Sequence, residues 1–123
     1  MKVLLTEDDP IVAELYRLRL DREGHEVAVA ADGQAALEQL RKEPPDLILL
    51  DIRMPRLSGI AVLEAVRGDE KLAAIPVVML TNYSDPAQVQ RTRELGIEAY
   101  LVKSRTTPRQ LADWIAEWSA KKG

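Results

Sequence analysis

The sequence predicts an α/β fold in which five parallel strands form a central sheet with helices on both faces. Five short apolar segments recur along the 123 residues, and amphipathic helical patterns separate them. Three of these segments are apolar throughout, which is typical of parallel strands that are covered on both faces. Because each strand pattern is followed by a helix pattern, we expect parallel strands joined by right-handed crossovers.

The predicted strands lie between clear turn or helix signals. The first, third and fourth are the continuously apolar segments, so we expect them in the interior of the sheet. The second alternates more between polar and apolar residues, which fits an edge strand. The five strands are expected at Lys2 to Thr6, Glu26 to Ala30, Asp46 to Leu50, Pro76 to Leu80 and Glu98 to Val102.

The first predicted helix has a marked beginning and end. Asp9-Pro10 is typical of an N-cap residue followed by proline at the first helical position, and Gly24 ends the helix. Its apolar residues recur at helical spacing, as in a helix that packs on a core. They are Ile11, Val12, Leu15, Tyr16 and Leu18.

Four more helices follow the later strands. The last of them carries Leu111 and Ile115 on its inward stripe, and we expect Trp114 and Trp118 to pack at the core or its rim. The four helices run from Asp32-Gly33 to Pro44-Pro45, from about Gly59 to Gly68, from Asp85-Pro86 to Gly96, and from Thr107-Pro108 onward.

Composition indicates a single globular domain over residues 1–123. The chain is 46% hydrophobic and 30% charged, which is ordinary for a folded protein. A net charge of −3 without a basic stripe argues against direct nucleic-acid binding. The absence of cysteine excludes disulfides and thiolate metal sites. No signal peptide or apolar stretch of about 20 residues is present, so we expect a cytoplasmic protein that does not enter a membrane.

Polar residues capable of chemistry follow four of the predicted strands. Glu7 and Asp8 follow the first, Asp51 the third, Thr81 the fourth and Lys103 the fifth. In parallel sheets ligands bind beyond the carboxyl ends of the strands, so these side chains are expected to share one site. Clustered carboxylates repel one another unless a cation lies among them. Their oxygens suit Mg²⁺, while the lysine and the threonine suit an anionic phosphoryl oxygen.

The ordered set of motifs resembles that of response-regulator receiver domains, the CheY-like family, over essentially the full length. The resemblance implies a flavodoxin-like (βα)5 three-layer sandwich with strand order 2-1-3-4-5. The matching motifs are Leu5-Thr6-Glu7-Asp8-Asp9, Asp51-Ile52-Arg53-Met54-Pro55 with Gly59 beyond it, Thr81 after Val77-Val78-Met79-Leu80, and Tyr100-Leu101-Val102-Lys103.

The resemblance also implies a role for each matching residue. Asp51 would accept a phosphoryl group from a sensor histidine kinase, a phosphotransfer protein or a small acyl phosphate. Mg²⁺, or Mn²⁺ in its place, would be held by Asp8, Asp51, the backbone carbonyl of Arg53 and, through water, Glu7. Such a protein catalyses only its own phosphorylation and dephosphorylation.

A conformational switch is implied as well. Thr81 would bind a phosphoryl oxygen, with Lys103 neutralising charge, and Tyr100 would fill the space that Thr81 leaves. The face formed by the fourth helix, fifth strand and fifth helix would change and control a downstream protein. A static, packed Tyr100 is the alternative interpretation.

Three departures from the family pattern lead to further expectations. Ser104 stands where proline is common, so we expect a trans Lys103-Ser104 peptide and a different path for the following loop. Asn82 replaces a small residue, and either its bulk narrows access to the phosphoryl group or its amide contacts a phosphoryl oxygen. The resemblance places Arg53 and Tyr83 at the two positions whose side chains flank the attacking water in the family, and their length predicts a long-lived phosphoryl state.

The same residues argue against three other functions. A pseudo-receiver that docks partners without phosphorylation usually lacks one member of the acceptor, metal, hydroxyl and lysine set, which is complete here. A haloacid-dehalogenase-like phosphatase requires an acid where Arg53 stands. A flavodoxin-like electron carrier requires a Ser/Thr/Gly phosphate loop where this chain has acids. Asp9 is interpreted as a helix cap rather than a ligand, and His25 as a solvated loop residue.

Overall fold

Within residues 1–83 and 85–122, which the computed structural model describes, five strands alternate with five α-helices. The strands form one parallel sheet in the order β2-β1-β3-β4-β5, so the predicted fold class and strand order are confirmed. The elements are β1 (Lys2–Thr6), α1 (Pro10–Arg22), β2 (Glu26–Ala30), α2 (Gly33–Lys42), β3 (Leu47–Leu50), α3 (Gly59–Gly68), β4 (Val77–Thr81), α4 (Pro86–Leu95), β5 (Ala99–Val102), a 3₁₀ turn (Lys103–Arg105) and α5 (Pro108–Lys122).

The pairing register brings the ends of the inner strands to one edge of the sheet. Leu5 of β1 lies opposite Leu49 of β3, and Leu50 lies opposite Met79 of β4. Thr81 at the end of β4 lies opposite Val102 at the end of β5. Because the strand order reverses between β1 and β3, a crevice opens beyond their carboxyl ends, as is usual in open parallel sheets.

The sheet separates two layers of core side chains. On one face, Leu4, Ile48 and Leu50 pack with residues of α2 and α3 such as Leu40 and Leu63. The opposite face is filled by side chains from the alternating strand positions, together with those of α1 and α5; they include Val3, Leu5, Leu49, Tyr16, Leu111 and Ile115. Each fully buried leucine contributes about 1.5–3 kcal/mol relative to an exposed one, so the strand ends are held on a rigid support.

Only part of the apolar stripe predicted for α1 is buried. Tyr16 is buried, but Ile11, Leu15 and Leu18 are 73%, 56% and 49% exposed. The inward positions are Ala13, Tyr16 and Leu20. Small Ala13 leaves room for the helix to approach the sheet, and the large aliphatic residues project outward beside the strand ends.

No helix among the residues that the structure describes is long and apolar enough to cross a membrane.

Candidate functional site

An open depression at the carboxyl ends of the strands gathers most of the predicted site residues. Asp8 follows β1, Asp51 follows β3, Thr81 is the last residue of β4, and Lys103 directly follows β5. The depression is lined by Asp8, Asp51, Arg53, Thr81, Asn82, Tyr83, Asp85 and Lys103. Glu7 is buried beneath it and reaches the same cluster through Lys103.

Lys103 bridges the two buried carboxylates of the site. Its ammonium nitrogen lies 2.6 Å from Oε1 of Glu7 and 2.5 Å from Oδ2 of Asp51. Glu7 and Asp51 are only 4% and 5% exposed. Burial by itself lowers the pKa of Lys103, but hydrogen bonds and charge from Asp51 and Glu7 outweigh it and raise that pKa. The lysine is therefore a fixed cation, and it offsets only one of the two buried negative charges.

The backbone around Asp51 is held from both sides. Its N–H donates to Oγ1 of Thr6 over 2.9 Å, and that hydroxyl donates to the carbonyl of Leu49 over 3.2 Å. The N–H of Gly59 donates to the carbonyl of Ile52 over 2.8 Å. A Cβ on Gly59 would lie 1.9 Å from the carbonyl oxygen of Asp51, so only glycine allows this approach. Thr6 was not among the predicted site residues, although its position at the end of a buried strand was a signal for this role.

The two aspartates that follow Glu7 have different surroundings. Asp8 is exposed and lines the depression beside Asp51. Oδ1 of Asp9 accepts the N–H groups of Ile11 and Val12 at 2.9 and 3.3 Å. The geometry of Asp9 is thus that of the predicted N-cap of α1.

Thr81 and Tyr100 contact the same loop between β4 and α4. Oγ1 of Thr81 accepts the N–H of Tyr83 over 3.1 Å. The hydroxyl of Tyr100 donates to the carbonyl of Tyr83. Burial chiefly, with added effects of Asp51 and Tyr83, raises the pKa of Tyr100, so this hydroxyl remains a donor. A movement of Thr81 would therefore be transmitted to Tyr100 through Tyr83, which both side chains contact.

Arg53 and Tyr83 close one side of the depression. The guanidinium of Arg53 lies 4.4 Å from the centroid of the Tyr83 ring, which is cation–π geometry. The backbone N–H of Arg53 donates to Oδ1 of Asp51 over 3.3 Å. The Arg53 side chain, two positions after Asp51, therefore lies against Tyr83 in the lining of the depression.

The peptide bond after Lys103 has the geometry expected before a non-proline residue. No cis peptide bond occurs within the described ranges, so the expected trans Lys103-Ser104 bond is confirmed. The chain enters a 3₁₀ turn over Lys103–Arg105. The N–H of Ser104 donates to Oδ1 of Asn82 over 2.7 Å. The amide oxygen of Asn82 therefore binds this turn.

The acidic residues of the site are the candidate ligands for a divalent cation. Within residues 1–83 and 85–122, no group of three or more His, Cys, Asp or Glu residues is arranged so that it could hold a metal ion. Both oxygens of Glu7 are engaged, one by Lys103 and the other by the N–H of Asp9. Asp8 and Asp51 do share the depression. Since Mg²⁺ is commonly bound by one or two carboxylates with water and phosphate oxygens, these donors fit a hydrated ion.

Known proteins resemble this chain over most of its length. A family model described as "Response regulator receiver domain" matches residues 3–116. The polar-differentiation response regulator DivK of Brucella ovis is 36% identical over 107 residues, 87% of each chain. The chemotaxis protein CheY4 of Vibrio cholerae has a TM-score of 0.85 and 31% identity, covering 94% of this chain and 96% of its own. The Mn²⁺-bound form of response regulator Rcp1 has a TM-score of 0.80 and 32% identity, covering 89% and 85%.

Proposed function

The chain belongs to the family of response regulator receiver domains, and from this membership we propose that it is a phosphorylation-driven switch with Asp51 as the phosphoryl acceptor. Receiver domains of two-component signalling act as switches rather than as classical enzymes. The observation that carries the proposal is the buried carboxylate of Asp51, 2.5 Å from the ammonium of Lys103 and open to solvent through the depression.

The proposed reaction is an in-line displacement at phosphorus. A carboxylate oxygen of Asp51 forms a bond to the phosphorus, while the bond from phosphorus to the histidine nitrogen of a sensor kinase, or to the oxygen of an acyl phosphate, breaks. The protein contributes positioning and charge rather than further covalent chemistry. Lys103 neutralises the equatorial oxygens, and the hydroxyl of Thr81 donates to one of them.

A divalent cation is part of this proposal. Asp8, Asp51 and the backbone carbonyl of Arg53 would hold Mg²⁺ or Mn²⁺ directly, and Glu7 through water. When bound, such an ion offsets the charge of the acids and of the incoming phosphoryl group. The Mn²⁺-bound neighbour Rcp1 supports a divalent ion in a related fold.

The switch would begin at Thr81. Its Oγ1 accepts the N–H of Tyr83 and can still donate its own proton, so a shift of Thr81 toward a phosphoryl oxygen would pull on that loop through this bond. Tyr100 is tied to the same loop through the carbonyl of Tyr83. In α4 only Thr92 is fully buried, so this helix shifts at low cost in buried contacts. We therefore place the output for a downstream protein on the face formed by α4, β5 and α5.

The donor protein must bring its phosphohistidine to the rim of the depression. Ile11, Leu15 and Leu18 form an exposed apolar ridge on α1, the helix that begins beside the site. A shallow groove between α1 and the turn after β5, lined by Leu15, Tyr16 and Pro108, continues the ridge toward Lys103. Solvent-exposed apolar patches mark protein interaction sites, and we assign this one to the kinase or phosphotransfer protein.

Acetyl phosphate tests the proposal without a partner. We expect the intact mass of the protein to rise by one phosphoryl group with acetyl phosphate and Mg²⁺, and to stay unchanged with EDTA. The Asp51→Asn variant should show no gain. An unmodified wild-type protein at saturating donor and Mg²⁺ would overturn the proposal in favour of a docking module that works without phosphorylation.

A further inference from the structure

A hydrogen bond joins the residues that directly follow Thr81 and Lys103. The N–H of Ser104 donates to Oδ1 of Asn82 over 2.7 Å. Asn82 lies in the loop between β4 and α4, and Ser104 lies in the 3₁₀ turn after β5. This bond therefore links the two loops that carry the hydroxyl and the ammonium of the site.

Tyr16 holds the same turn from the side of α1. Its hydroxyl donates to the carbonyl of Thr106 over 2.7 Å and lies 3.4 Å from the carbonyl of Lys103. The turn is closed internally by the N–H of Thr106, which donates to the carbonyl of Lys103 over 3.2 Å. Burial chiefly raises the pKa of Tyr16, so its hydroxyl stays protonated and able to donate. The backbone of Lys103 is thus fixed by side chains from two other elements.

The position of this backbone determines where the lysine ammonium lies. The side chain of Lys103 spans four flexible carbons, and its nitrogen lies within 2.6 Å of both Glu7 and Asp51. If the backbone of Lys103 were displaced, its flexible side chain would have to change conformation to keep the ammonium in the same place. Misplacing a reacting group by about 1 Å costs on the order of 100-fold in rate, so small shifts of this turn matter.

We propose that Asn82 and Tyr16 form a clasp that positions the ammonium of Lys103 against Asp51. The proposal rests on the proposed phosphoryl-acceptor function and adds two residues that act through Lys103 rather than on the phosphoryl group. Asn82 also couples Lys103 to the loop of Thr81, so the two groups meet the same phosphoryl oxygens together.

The test compares Asn82→Ala, Tyr16→Phe and the double variant with the wild type. We expect the rate constant for phosphorylation at saturating acetyl phosphate to fall about five- to tenfold in each single variant, with Mg²⁺ affinity within about twofold of wild type. Because Asn82 and Tyr16 both act through the ammonium nitrogen of Lys103, the fold-loss in rate of the double variant should be smaller than the product of the two single fold-losses. Gln90→Ala removes an exposed amide from α4 and serves as the matched control.

A second readout separates positioning from a general loss of structure. The ¹⁵N signal of the Lys103 ammonium, measured without any donor, should shift in Asn82→Ala while the thermal unfolding midpoint is unchanged. Because Asn82 is exposed, this variant remains informative if Tyr16→Phe fails to fold.

Two results would overturn the clasp. One is an Asn82→Ala variant that is phosphorylated at the wild-type rate, and the other is a slowed variant with an unaltered Lys103 signal. If the wild type itself accepts no phosphoryl group, the proposed function fails, whereas the Lys103 signal still decides whether the clasp exists.

Discussion

The ammonium nitrogen of Lys103 lies 2.5 Å from Oδ2 of Asp51, although the two residues are 52 positions apart in the chain. The parallel sheet brings them together because β3 and β5 both end at the same edge, on either side of β4. In the proposed reaction, the pair would combine the nucleophile with the cation that neutralises the charge of the incoming phosphoryl group. Single substitutions can test how the Lys103–Asp51 pair depends on the sheet and on the loops around it.

Replacing the lysine removes the fixed positive charge from the site. We expect Lys103→Met, which keeps the length of the side chain, to slow phosphorylation by acetyl phosphate about 100-fold or more, as for other preorganised charge-stabilising groups. Stopped-flow or quench measurements at saturating Mg²⁺ give the rate. Lys103→Arg should retain part of it. Phosphorylation of Lys103→Met at the wild-type rate would exclude the lysine from the reaction.

Gly59 sets the position of the Asp51 backbone. We expect Gly59→Ala to lower the free energy of unfolding by about 1–3 kcal/mol, because its Cβ would collide with the Asp51 carbonyl. The phosphorylation rate should fall in parallel. In Gly68→Ala the added Cβ meets nothing within 4 Å, so that variant should be neutral or slightly more stable. Equal effects of the two substitutions in urea unfolding would contradict the close approach at Gly59.

Arg53 and Tyr83 contact each other and line the depression that contains Asp51. We expect Arg53→Ala and Tyr83→Ala each to shorten the lifetime of the phosphorylated protein several-fold, because water then reaches phosphorus more freely. Decay is followed by intact mass after the donor is removed. Arg109→Ala, an exposed change on α5, is the control for loss of charge. Lifetimes unchanged in both variants would show that the pair does not shield the site.

His25 makes stability depend on pH. Burial chiefly, and then the positive N-terminal amine, lowers the pKa of His25 in the folded protein, while Glu23 acts in the opposite direction. A folded pKa below the unfolded value of about 6.5 means that the unfolded chain binds the proton more tightly. Stability should therefore fall as pH is lowered through about 6.5.

The measurement is urea unfolding between about pH 7.5 and 5.5 for the wild type and His25→Gln. The variant should lose part of the pH dependence in this window. Identical slopes for the two proteins would mean that His25 has the same pKa folded and unfolded.

The predictable part of the fold came from features that act locally. Strand bounds were predicted to within one residue because continuous apolar runs are bounded by acids, prolines and glycines; β4, for example, was expected at Pro76 to Leu80 and lies at Val77–Thr81. The cap at Asp9 was confirmed because a side-chain acceptor at a helix start is specified by its own few neighbours. The helices expected to begin at Asp32-Gly33 and Asp85-Pro86 are likewise capped by Asp32 and Asp85.

The missed features depend on long-range packing. Hydropathy placed Ile11, Leu15 and Leu18 on the stripe with Tyr16, but the side of α1 that is buried carries Ala13, Tyr16 and Leu20. His25 was expected in solvent, yet it is half-buried, with Nδ1 3.3 Å from the N-terminal amine.

The site residues also divide into those predictable from the local sequence and those whose contacts depend on long-range packing. The strand-end acids, threonine and lysine were identifiable from their positions, whereas the bond from Ser104 to Asn82 joins residues 22 positions apart through a side-chain amide. The cation–π contact of Arg53 with Tyr83 likewise depends on two loops whose paths are not encoded locally.

Locating the transferred group within the chain tests the central claim most directly. After incubation with acetyl phosphate and Mg²⁺, borohydride reduces an aspartyl phosphate to homoserine, and tandem mass spectrometry identifies the altered residue. We predict homoserine at position 51 and at no other acid of the depression. Reduction at Asp8 or Asp85 with an intact Asp51 would contradict the assignment of the acceptor.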